Sequence, residues 1–101
     1  MRMLMKVSIP NQPFNALVKK GKAGKTIKGI LDAIKPEATY FTEENGQRAA
    51  LLFLDVPDAS KIPELSEPWF LAFEASVQFR IAMTPADLEK SGLDELGKRW
   101  G

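Results

Sequence analysis

Arg48-Ala-Ala-Leu-Leu-Phe-Leu-Asp-Val56 is the stretch on which the fold turns. Within it Ala49, Leu51 and Phe53 alternate with Ala50, Leu52 and Leu54, so a strand here is apolar on both faces. Such a strand expects cover on both sides. Each Leu or Phe side chain taken out of water contributes about 1.5–3 kcal/mol, so neither face is left wet without cost.

The flanking residues place this strand in a larger pattern. Before it, Glu44-Asn45-Gly46 reads as a hairpin turn, because Asn and Gly tolerate the positive φ of tight turns. Ala38–Glu43, carrying Tyr40 and Phe41, is then the partner strand. After it, Pro57 closes the strand and Asp58 is the expected N-cap of a helix from Ala59 to Phe73, bent or split by Pro63 and Pro68. Ser76–Met83 alternates cleanly, with Val77, Phe79 and Ile81 opposite Ser76, Gln78, Arg80 and Ala82.

At the start of the chain, Met3, Met5, Val7 and Ile9 alternate with Leu4, Lys6 and Ser8, predicting a strand with one strongly apolar side. Pro10 and Pro13 predict a turn around Asn11. From Phe14 to Ile34 the spacing is helical. Phe14, Leu17 and Val18 form one stripe and Ile27, Ile30, Leu31 and Ile34 another, with Gly21 and Gly24 between them, so two pieces or a kink are expected. Pro36 ends the second piece. Thr84-Pro85-Ala86-Asp87 carries an N-cap, a first-position proline and a first-turn acid. Leu88, Leu93, Leu96 and Trp100 follow as two short helical turns around Gly92.

The order is strand, helix, strand, strand, helix, strand: an α+β, ferredoxin-like βαββαβ two-layer sandwich with a C-terminal helical tail. Right-handed crossovers put both helices on one sheet face. The other face needs a different cover, either a second copy of the chain or the tail over residues 84–101 folded underneath. A homodimer is the simpler expectation. At 101 residues the chain is read as one domain, 1–101.

Composition narrows the chemistry. The apolar fraction is 45% and the charged fraction 27%, which are ordinary globular values, and a net charge of +1 gives no global drive toward nucleic acid or membrane. Cysteine and histidine are both absent, which removes disulfides, thiolate metal sites and imidazole catalysis. No metal ligation and no cofactor is expected. Met1–Pro10 lacks the apolar core and cleavage site of a signal peptide, and no apolar run reaches membrane-spanning length, so a cytoplasmic location is expected.

In element order and length the chain resembles the dimeric α+β barrel superfamily of ferredoxin-like proteins, which includes muconolactone isomerases and antibiotic-biosynthesis monooxygenases. Three phrases, Lys35-Pro-Glu-Ala-Thr-Tyr-Phe41, Glu67-Pro-Trp-Phe-Leu-Ala-Phe73 and Phe79-Arg-Ile-Ala-Met-Thr-Pro85, are similar to its uncharacterised small bacterial branch. The resemblance implies a barrel closed by two subunits. No catalytic set from the characterised enzymes transfers to these positions.

The candidate site follows from alternation. Lys6 and Ser8 on the first strand, and Gln78 and Arg80 on the fourth, share the second sheet face if those strands are neighbours, with Tyr40 or Thr42 at the rim. A cationic, hydrogen-bonding patch inside an apolar interior suits a small anionic or aromatic organic ligand. A rival reading makes the protein a cofactor-independent isomerase or monooxygenase, with Lys6 or Tyr40 as base and Arg80 holding a developing anion. A third makes it an interaction module gripping a partner through its tail.

Three features are decoys. Gly21-Lys-Ala-Gly-Lys-Thr26 contains Gly-Lys-Thr, but a phosphate-binding loop needs glycine where Lys19 stands and a strand directly before it. Lys19, Lys20, Lys22, Lys25 and Lys28 fit a solvated helix face, without the interleaved aromatics of a base-stacking platform. Trp69, Phe70, Phe73 and Phe79 fit a core better than a pocket wall. The acids Glu43 and Glu44 are expected to be solvated in the hairpin.

Overall fold

A computed structural model describes residues 1–101. Its strands are β1 (Arg2–Ile9), β2 (Ala38–Glu44), β3 (Gln47–Asp55) and β4 (Ser76–Ile81). Its helices are α1 (Asn11–Lys19), α2 (Ala23–Ile34), α3 (Lys61–Phe73), α4 (Pro85–Lys90) and α5 (Leu93–Trp100). The strands form one antiparallel sheet in the order β2-β3-β1-β4, an α+β arrangement compatible with the ferredoxin-like fold.

Alternation decides which side chains meet the helices. Met5, Val7 and Ile9 of β1 and Ala50, Leu52 and Leu54 of β3 lie on one face and are buried against Phe14, Ile30, Leu65, Trp69 and Phe73 from α1, α2 and α3. The aromatic residues meet at tilted angles, with ring centroids 5.1 Å apart for Phe14 and Phe73 and 6.0 Å for Trp69 and Phe73. That geometry suits the ring quadrupoles. Trp69 and Phe73 are therefore core, while Phe70 and Phe79 are half-buried.

Local signals set most boundaries. Asn45 and Gly46 both take positive φ (53° and 78°), the conformation that lets a two-residue hairpin follow the twist of its strands. Lys35 takes a left-handed C-cap conformation and Pro36 follows, ending α2. Gly21, at φ 70°, turns the chain between α1 and α2, so the region from Phe14 to Ile34 is two separate helices.

Several boundaries differ from the sequence expectations. The first helix begins at Asn11 instead of after a turn through Pro13; Gln12 is non-helical (φ −113°, ψ 138°), so regular helix starts at Pro13, where a missing N–H costs nothing. Asp58 does not cap α3. Its carboxylate accepts from the Ser60 amide at 2.9 Å and from the Ser60 hydroxyl, closing a local turn before the helix starts at Lys61. Those hydrogen bonds hold the Asp58 carboxyl below its usual range. Of the two options for the proline-bearing helix, bent or split, it is not split: α3 is one element with Pro68 inside it, and Pro63 lies in its first turn, where amides have no intrahelical partner. β4 stops at Ile81, not Met83.

The tail does not fold beneath the sheet. Neither α4 nor α5 buries a residue, and Leu88, Leu93, Leu96 and Trp100 are all exposed. The molecule measures 59 × 28 × 19 Å with a radius of gyration of 17.0 Å. A compact domain of this length has a radius of about 13 Å. The excess fits an arm standing off the sandwich. Its root is firm: the Thr84 hydroxyl accepts from the Asp87 amide (3.1 Å) and the Asp87 carboxylate from the Thr84 amide (2.9 Å), a complete capping box. No helix is long and apolar enough to cross a membrane.

Candidate functional site

With α1–α3 on one side, the second sheet face is open, and register determines what stands on it. Leu4 lies between Phe53 and Arg80, Lys6 between Leu51 and Gln78, and Ser8 between Ala49 and Ser76. Tyr40 lies opposite Leu51 on the far side of β3, and Thr42 opposite Ala49. Lys6, Ser8, Tyr40, Gln78 and Arg80 therefore share one face, because β1 and β4 are neighbours and β2 pairs in register with β3.

They do not all share one hollow. A depression of about 280 Å³ is lined by Leu4, Lys6, Glu44, Leu51, Gln78 and Arg80. Leu4 and Leu51 supply its apolar lining and the other four its polar groups. Ser8 stands beyond Lys6 along β1 and lies outside the lining. Tyr40, 62% exposed, also stands outside it.

Glu44 is the residue the sequence reading missed. It is exposed in the hairpin, as expected, but it also accepts from Lys6 Nζ at 2.5 Å, a contact the sequence did not suggest. The two residues belong to strands separated by the whole of β3. Lys6 pairs with Leu51 and Glu44 with Gln47, so the two side chains reach toward each other diagonally across β3 on the open face. Between those two positions on the same face of β3 stands Ala49, with a small side chain that is only 2% exposed.

The pairing redistributes charge. Lys6 is engaged by Glu44. Arg80 makes neither an ion pair nor a side-chain hydrogen bond. It is the one unpaired charge of the hollow. Its guanidinium offers five donors in a planar fork suited to a carboxylate.

The decoys resolve on structural grounds. Gly-Lys-Thr lies in the first turn of α2, after a helix instead of a strand, and the Thr26 hydroxyl donates to the Lys22 carbonyl at 2.9 Å. Lys19, Lys20, Lys22 and Lys25 are solvated, and Lys28 pairs with Asp32 at 2.8 Å, one turn along the same helix. That contact raises the Lys28 pKa, through the hydrogen bond first and the charge of Asp32 second. No three acidic side chains converge in a way that could hold a metal ion.

Neither a protein-family model nor a curated protein matches this chain.

Proposed function

We propose that the chain is a small-ligand-binding protein whose two copies stack through their open sheet faces, as a dimeric α+β barrel of the ferredoxin-like type, and hold a small carboxylate in the interior. The observation that carries this reading is the unpaired Arg80 beside Leu4 and Leu51 in a shared hollow. An isolated cation over an apolar floor is a recognition element for an anion with an apolar body.

The size of the hollow supports a second copy. At about 280 Å³ it falls just short of the roughly 300–1,000 Å³ typical of organic-ligand sites, and it opens to solvent. A facing sheet would close and enlarge it. The same cover would bury Leu4, Leu51, Phe53 and Tyr40, which the chain's own helices leave on the open side.

Two measurements test the reading on the full chain. Sedimentation at micromolar concentration gives twice the mass of one chain, and aromatic carboxylates raise the melting temperature. Arg80→Ala removes that thermal shift. A monomer with no shift from a broad carboxylate panel would overturn the proposal.

A second reading rests on a separate observation, the exposed apolar stripe of the arm. Leu93, Leu96 and Trp100 fall on one side of α5, with Asp94, Glu95, Lys98 and Arg99 around the rest. Helices of six and eight residues are marginal alone in water. In this reading the arm grips a protein partner. A chain lacking residues 84–101 that keeps every association of the full chain sinks it.

A further inference from the structure

The hollow is not uniformly cationic. Arg80 stands beside Leu4, Lys6 and Gln78 lie one step farther along the paired strands, and Glu44 reaches in from the hairpin beyond them. A ligand anchored at Arg80 and lying along Leu4 and Leu51 therefore points its far end toward Lys6 and Glu44. Lys6 is already neutralised there, and its side chain is only 19% exposed against 45% for Glu44. The more accessible member of the pair is the anion.

From this asymmetry we infer that Glu44 is a specificity-determining residue, which restricts the hollow to ligands with one carboxylate and excludes those with a second anionic group at the opposite end. The inference rests on the proposed ligand site and names its substrate class. One carboxylate compensates Arg80. A second would meet Glu44 in partly desolvated surroundings, where like charges repel more strongly than in water. It could gain Lys6 only by displacing a carboxylate that is tethered to the same chain and already in contact. A neutral or hydrogen-bonding far end meets no such opposition.

The test is calorimetric titration of the full chain with benzoate, its 4-carboxylate analogue terephthalate, and uncharged benzamide. The wild-type chain is expected to bind benzoate, to bind terephthalate on the order of tenfold more weakly or worse, and to bind benzamide least because nothing compensates Arg80. Glu44→Gln keeps the size and planarity of the side chain but frees Lys6 as a second cation, so the order reverses and terephthalate becomes the tighter ligand. Glu44→Asp, which keeps the charge, retains the wild-type order and separates charge from fold. An unchanged ratio of benzoate to terephthalate in wild type and Glu44→Gln overturns this inference while leaving the ligand site standing. No binding of any probe to any of the three proteins overturns the ligand site and the inference together.

Discussion

Lys6 Nζ and Glu44 Oε1 lie 2.5 Å apart across the full width of β3. The contact ties the first strand of the sheet to the tip of its hairpin. Because both side chains keep some exposure, its net worth is that of a partly screened pair, about 0.2–1 kcal/mol. Glu44→Gln should lower the unfolding free energy from urea melts by that amount, with the difference from wild type shrinking at high salt. A loss of several kcal/mol would show that the hairpin depends on this contact for its fold.

Arg80 has no acid partner and sits on the exposed face of an edge strand. Its removal therefore separates binding from stability. Because its removal leaves no partner unpaired, Arg80→Ala is expected to stay within about 0.5 kcal/mol of wild type in ligand-free urea melts, and under the proposed site it removes the thermal shift expected from carboxylates. A ligand shift that survives in Arg80→Ala excludes the guanidinium as the anchor.

Leu51 and Leu52 are neighbours in sequence and face opposite sides of the sheet. Leu52 is fully buried under the helices, so Leu52→Ala should cost about 2–5 kcal/mol by opening a cavity. Leu51 lines the open hollow. Under the proposed stacking of two sheets, Leu51→Glu is expected to leave the protomer folded by circular dichroism and to abolish dimer formation in sedimentation. A Leu51→Glu chain that remains a dimer places the interface elsewhere.

The capping box at the root of the arm makes that arm acid-sensitive. Hydrogen bonds from the Thr84 amide and hydroxyl, with smaller help from Lys90 and Arg2, hold the Asp87 carboxyl below its ordinary value. The folded arm thus binds fewer protons than the unfolded one near that value. Its stabilisation is complete above about pH 4, the unfolded aspartate value, and drains away as pH falls through the lowered folded value. Asp87→Asn should lose the acid transition of the arm, followed by the fluorescence of Trp100 in a chain carrying Trp69→Phe. An identical transition in Asp87→Asn assigns it to another carboxylate.

Trp69 offers a contrasting readout. Its side chain is fully buried and its indole N–H has no hydrogen-bond partner. An unsatisfied buried donor costs about 1–3 kcal/mol. Trp69→Phe gives up packing but also removes that donor, so it should destabilise by less than the roughly 3–5 kcal/mol usual when a buried aromatic is truncated to alanine. Urea melts of Trp69→Phe and Trp69→Ala, compared side by side, check this.

The sheet was legible in the sequence because its signals are local and repeat. Alternation in β4 and double apolarity in β3 assigned each side chain to a face, and Asn45-Gly46 fixed the β2–β3 register through a two-residue turn. What escaped were choices between neighbouring options of similar energy. Asp58 and Ser60 are both competent caps, and the turn that Asp58 closes with Ser60 moved the helix start to Lys61. The Lys6–Glu44 pair escaped for another reason: its partners are 38 residues apart, on strands that only the sheet order places on either side of β3. Periodicity reports which face a residue occupies but not the order of the strands. The four polar and charged residues expected near one another on β1 and β4 do share a face, yet the acid that reshapes their charge came from the hairpin.

The central place of β1 bears on how the chain is made. Its hydrogen-bonding partners are β3 and β4, and the last of these begins at Ser76. During synthesis β1 leaves the ribosome before both of its neighbours, and β4 emerges last of the four strands. Until then Met5, Val7 and Ile9 have an unpaired backbone edge beside them. The arm beyond Ile81 is synthesised after the sheet is complete, so a stalled or truncated product that ends within the arm can still close the sheet, whereas one ending before Ser76 leaves a sticky apolar strand for chaperones to hold.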